Sequence, residues 1–181
     1  MASKASLTAL KKQLRKKTKE ELIEEIAHLY KSFTNVKEFY QSSFFEDDTA
    51  VLKKYKKIVW DEFSPNGRYD FPKLRLSVAR KAVSDYKKVS TSATGLADLM
   101  LTYVEADVDC TNTFGDIDEP FYNSMESMYA SALMHILKEN LFYEFEDRLK
   151  SVVRNTYNIG WGFHDGLSEL YEEYRDQIDG N

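Results

Sequence analysis

The chain has 181 residues, 43% of them hydrophobic and 30% charged, with 12 Tyr and 11 Phe and a net charge of −5. That length suffices for one domain with a core of its own, and the composition excludes a disordered tail and an integral membrane protein. Charge is unevenly spread: residues 1–20 hold 7 Lys/Arg against Glu20 alone, residues 51–90 hold 11 against 4 acids, and residues 91–147 hold 12 Asp/Glu against Lys138.

Only 7 Gly and 3 Pro are present, too few for the turns of a many-stranded sandwich, so long helices are expected. The single cysteine, Cys110, excludes an intramolecular disulfide and a multi-cysteine metal site and suits a reducing cytoplasm. The N-terminus carries lysines without an apolar signal region, and no stretch approaches the roughly 18 apolar residues of a spanning helix, so no membrane partner is expected.

In chain order, Leu7, Leu10 and Leu14 predict a short amphipathic helix over 7–17 with Lys11, Lys12, Arg15 and Lys16 on its other sides. Thr18 and Glu21 fit a capping box opening a second helix, whose Leu22, Ile23, Ile26, Leu29, Tyr30 and Phe33 are expected to keep one face dry. Asn35 is the expected cap of a short third helix, and Asp47–Asp48 precede a fourth with Val51, Leu52, Tyr55, Ile58, Val59 and Phe63 inward. The run SPNGRYDFPK at 64–73 breaks the chain at a Pro-Asn-Gly turn. A fifth helix over 74–89 and a sixth from Leu96 to Val104 follow.

The stretch DVDCTNTFGDIDEPFY, 107–122, reads as the longest interruption between helices and concentrates carboxylates, amides and hydroxyls. Asp118, with Pro120 in the first turn, caps a seventh helix whose buried stripe is Phe121, Met125, Met128, Leu133 and Leu137. Asn140 separates it from an eighth helix. NIGWGFHDG, 158–166, makes a second polar loop before the last helix.

Three segments, KLRLSVARKAVSDYKK at 73–88, TNTFGDIDEPFYNSMESMY at 111–129 and NIGWGFHDGL at 158–167, resemble the signature blocks of a bacterial family known as domain of unknown function 6155. LKKQLRKKTKEELIEEIAHLY at 10–30 is similar as well, so the resemblance spans most of the chain. It implies a free-standing cytosolic helical protein and carries no activity, cofactor or catalytic residue with it.

The residues themselves offer few chemistries. Asp107, Asp109, Thr111, Thr113, Gly115 and Asp118 follow the offsets of an EF-hand loop, but Asn112 stands where that loop needs Gly, and Asp118 where it prefers Glu. A looser cation site could use Asp107, Asp109, Asp116, Asp118 and Glu119 with His164 or Asp165, since clustered carboxylates repel until a cation neutralises them. The competing reading is structural: Asp116 and Asp118 as caps, with Thr111, Asn112 and Thr113 bonding the loop backbone. Cys110 or Ser124 could be paired with His135 or His164, yet no nucleophile motif surrounds either, and no phosphate-binding glycine loop exists.

The expected architecture is all-α, one domain of eight or nine helices packed as antiparallel pairs and compatible with a short solenoid, with 1–46 as a basic, semi-independent arm. The expected role is a non-enzymatic protein-interaction or scaffold domain without cofactor or catalytic residue. Its candidate surface is Asn112, Asp116, Asp118, Glu119, Trp161, His164 and Asp165, or else the basic arm. A metal-dependent function built on Asp116, Asp118 and His164 is the alternative, and nucleic-acid binding through the basic helices is the third. Oligomeric state is open. Convergence of the two polar loops is the observation that separates a site from a set of helix caps.

Overall fold

Sixth in chain order, the helix α6 (Ala93–Phe114) runs for 22 residues through the middle of a computed structural model that describes residues 6–45, 47–65, 71–160 and 162–179. Among these residues the chain forms α1 (Leu7–Leu14), α2 (Lys19–Ser32), α3 (Thr34–Phe44), α4 (Asp48–Phe63), α5 (Leu76–Val89), α6, α7 (Glu119–Lys138), α8 (Phe142–Asn155) and α9 (Phe163–Asp179), with no strand. The fold is all-α, as expected. No described helix is long and apolar enough to cross a membrane.

The central position of α6 follows from its sequence. Leu96, Ala97, Leu99, Leu101, Tyr103, Val104, Ala106 and Val108 are buried on more than one side of the helix, the pattern of an element surrounded by others. α4, α5, α7 and α8 surround it, and α9 closes over α7 and α8. Aromatic edges knit these layers: Phe63 of α4 meets Tyr103 with centroids 5.2 Å apart and Phe121 of α7 at 6.2 Å, while Tyr122 meets Phe163 of α9 at 5.0 Å.

Gly95 sets how closely α6 can approach α5. A Cβ on Gly95 would lie 2.1 Å from the Tyr86 hydroxyl, so only glycine leaves that buried phenol room to bond Asp48 at the start of α4. Ser42 of α3 donates to the same carboxylate at 2.8 Å, which ties α3, α4 and α5 together at one point.

Several local signals act as read. Thr18 Oγ1 accepts from the Glu21 amide at 3.1 Å and the Glu21 carboxylate accepts from the Thr18 amide at 2.7 Å, a complete capping box. Asp118 Oδ1 accepts from the Phe121 amide at 2.9 Å, with Pro120 in the first turn. Asn140, at φ 57°, separates α7 from α8. Four expectations need correction. The stretch 107–114 is not a loop: burial of Asp107, Val108, Cys110 and Thr111 extends α6 to Gly115, whose φ of 88° ends it. Asn35 does not cap α3, which begins at Thr34 after an extended Phe33 with no side-chain cap. Ile136 rather than Leu137 completes the buried stripe of α7. The face of α2 expected to be dry is largely exposed. The middle of the Pro-Asn-Gly turn, Asn66 and Gly67, lies outside the described residues.

The charge polarity of the chain is only partly neutralised across the fold. Lys56 of the basic stretch bonds Asp98 of the acidic one at 2.8 Å, whereas Lys57–Asp61, Lys81–Asp85 and Lys88–Asp85 are pairs within one helix. Arg148 of α8 completes a cluster, reaching Asp98 at 2.5 Å and Glu105 at 2.7 Å. Burial works against the Asp98 carboxylate, and the hydrogen bonds from Lys56 and Arg148 outweigh it, so its pKa stays below the usual range.

Candidate functional site

The C-terminal end of α6, the connection 115–118 and the turn after α8 come together. Asn112 Nδ2 donates to the Asn155 carbonyl at 3.0 Å, joining the last turn of α6 to the last turn of α8. Asp116 lies against Gly160, where an added Cβ would stand 3.2 Å from Asp116 Oδ2. Between them is a cleft of about 410 Å³ lined by Thr111, Asn112, Gly115, Asp116, Asn158 and Ile159. The two polar loops thus converge at Asn112, Asp116 and 158–160.

The remaining candidates are held elsewhere, each by its own neighbour. Asp116 accepts from the Tyr122 hydroxyl at 3.0 Å, and Asp118 is occupied as the cap of α7. Glu119 is exposed in the first turn of α7, where a carboxylate favours the positive end of the helix dipole; exposed Asp165 does the same for α9. His164 places Nδ1 2.9 Å from Thr156 Oγ1 and its ring edge-on to Tyr157. Because the buried Thr156 hydroxyl spends its one proton on the Val153 carbonyl at 2.6 Å, His164 must donate from Nδ1. Trp161 lies outside the described residues.

This arrangement gathers no cation cage. Among the described residues no three His, Cys, Asp or Glu side chains come together to hold a metal ion, so Asp116, Asp118 and His164 do not form one site. Nor do the nucleophile candidates meet a base. Ser124 accepts from Arg80 Nε at 2.9 Å and sits 2.8 Å from the Tyr103 hydroxyl, with no histidine in that network. Burial, reinforced by Asp107 and Asp109, pushes the Cys110 thiol up to about 12, the opposite of an activated thiolate.

Among the described residues, Ser43, Asp107 and Tyr171 have buried side-chain polar atoms without a hydrogen-bond partner, and Asp107 is the carboxylate among them. Asp107, 1% exposed, has neither carboxylate oxygen hydrogen-bonded, and burial raises its pKa well above the usual carboxylate range. Its surroundings disfavour the charged form of this carboxyl. The sequence placed Asp107 in an acidic loop; its helical register, one turn after Tyr103 and one before Thr111, is what aims it inward.

Within the basic arm, the alternative surface named from the sequence, lies an apolar groove whose openness the sequence did not signal. α2 and α3 run side by side and leave a groove of about 430 Å³ lined by Ile23, Ile26, Ala27, Tyr30, Tyr40, Phe44 and Phe45. Ile23 is 52% exposed, Ile26 42%, Phe44 72% and Phe45 69%, and Phe33, which connects α2 to α3, is exposed too. α2 contributes no buried residue, and α3 is its main neighbour. The apolar spacing of 22–33 signalled a face to be covered; nothing in the spacing said that the other described residues would leave it open.

The chain belongs to the family of unknown function DUF6155, whose model matches residues 5–175. No curated protein and no solved structure matches it.

Proposed function

We propose that this chain is a non-enzymatic protein-interaction domain of the cytoplasm, and that α2 and α3, within the arm 1–46, are its recognition element. The observation that carries this reading is the apolar groove between the two helices, where large side chains stand exposed in one contiguous surface instead of scattered singly. Lys19, Glu20, Glu24 and Lys31 of the same helix, α2, are exposed and charged, in keeping with an apolar contact that has a polar rim. The polar cleft at Asn112 and Asp116 supports an enzymatic reading less, because its groups are engaged by Tyr122 and by the Asn155 carbonyl.

The test is a comparison of three forms of the full chain as bait in the source cells: wild type, Ile23→Ser/Ile26→Ser in the groove, and Asp116→Ala in the cleft. The groove variant is expected to keep the helical circular-dichroism spectrum and lose the captured chains, other copies of this protein included, while the cleft variant keeps them. A groove variant that retains every captured chain overturns the reading.

A further inference from the structure

The face left open by α2 and α3 has a charge pattern that fits one occupant better than others. The first half of α2 carries Glu20, Glu21, Glu24 and Glu25 against Lys19, whereas its second half carries Lys31, and α3 begins with Lys37 beside that end. Glu25 is neutralised within the chain by Lys17. Glu20, Glu24, Lys31 and Lys37 are exposed, and among the described residues they enter no ion pair.

We infer that the occupant is a second copy of this chain, its α2–α3 hairpin laid antiparallel on the first to form a four-helix bundle about a two-fold axis near Ile26. This deepens the interaction reading above and rests on it. In the antiparallel arrangement the glutamate-rich half of each α2 lies over the Lys31 and Lys37 end of the other, and the helix dipoles oppose. A parallel arrangement would stack the two glutamate-rich halves on each other. An isologous contact of this kind is self-complementary by construction: Ile23 of one copy meets the region of Leu29 and Tyr30 of the other, and Ile26 meets its own equivalent.

The size suits a stable contact as well. α2 is 14 residues long, about 20 Å, and the hairpin is about 20 Å wide. With side-chain relief, two such faces bury close to the roughly 1,200 Å² at the lower end of specific interfaces. Exposed aromatic side chains, Phe33, Phe44 and Phe45, supply the kind of anchor that carries most binding energy.

Sedimentation velocity of the full chain up to about 200 µM, a concentration that populates any dimer of micromolar Kd, tests this. The expected result is a dimer, converted to a monomer of unchanged helicity by Ile26→Glu. Lys31→Glu should raise the dimer Kd about tenfold, and adding Glu20→Lys to it should restore the wild-type value. Direction is read by cysteine pairing, since the native Cys110 is buried. Under mild oxidation a Lys19→Cys copy should join a Phe33→Cys copy, while neither variant joins itself.

A wild-type monomer at the highest concentration overturns the inference. So does a dimer that survives Ile26→Glu, or one in which Lys19→Cys joins itself. The two readings fail separately: a monomer whose groove variant still loses its captured chains leaves the interaction function standing with another partner, and a monomer whose groove variant loses nothing sinks both.

Discussion

The α6–α7 centre and the α2–α3 arm carry stripes of the same kind, with large apolar residues at helical spacing, and they end in opposite states. Leu99, Leu101, Met125 and Leu133 are buried from every side, whereas Ile23, Ile26, Phe44 and Phe45 face solvent. The difference lies in neighbours. Among the described residues α6 has α4, α5, α7 and α8 around it, and α2 has α3 and little else. A stripe therefore states that a helix has a face to cover, and topology decides whether the same chain covers it.

The comparison breaks most visibly at Leu99. Removing a fully buried leucine leaves a cavity that the surrounding helices cannot fill, so Leu99→Ala should lower unfolding stability by about 3 kcal/mol. Denaturant titration of the monomeric or Ile26→Glu background reads this without an oligomer term. A loss under about 1 kcal/mol would mean that α6 is not the tightly packed centre described here.

Asp107 sharpens the comparison from the other side, since it puts in the centre a carboxyl that burial punishes. Its pKa is raised in the folded chain by burial, so the folded state keeps a proton that the unfolded state releases above about pH 4. Stability from this group is fully present below that unfolded value and falls as pH rises toward the folded one, by up to about 1.4 kcal/mol per pH unit. Asp107→Asn keeps the volume and cannot ionise. Its stability relative to wild type should therefore rise with pH, reaching a gain of about 1–3 kcal/mol near neutrality. Urea titrations at pH 5, 6, 7 and 8 check the sign; parallel curves for the two proteins would refute it. Carboxylates with lowered pKa, such as Asp98 and Asp85, act in the opposite direction and cancel in the difference.

Asp107 also marks the limit of what was legible in advance. Signals that act over one helical turn were readable: the Thr18–Glu21 box, the Asp118–Pro120 start and the break at Asn140 all depend on residues a few positions apart. The segment 107–114 was misread because Asp, Asn and Thr each disfavour a helix interior by a few tenths of a kcal/mol. That sum is outweighed by packing Val108, Cys110 and Thr111 into the core, a gain set by α4, α7 and α8 rather than by the segment. The convergence of Asn112 and Asp116 with 158–160 was posed as a question by the sequence and could only be answered by the fold, because the two stretches lie some forty residues apart. The open groove was illegible for the same reason as the extended α6: its exposure is a property of the missing neighbours.

The smallest effect is the most telling about the arm. Ile26→Ser replaces a large apolar side chain, and at a core position such a change would cost several kcal/mol. Ile26 is already 42% exposed in the single chain, so the folded monomer loses little contact that the unfolded chain did not lack. At concentrations where the chain is monomeric, Ile26→Ser should shift unfolding stability by no more than about 0.5 kcal/mol. As concentration rises, wild type should gain stability by mass action while the variant gains none, because only the wild type binds a second copy in its folded form. Equal concentration dependence in both proteins would place any self-association elsewhere on the surface. A loss of about 2 kcal/mol in the dilute monomer would show instead that α2 is held by the rest of the chain far more tightly than its exposed isoleucines indicate.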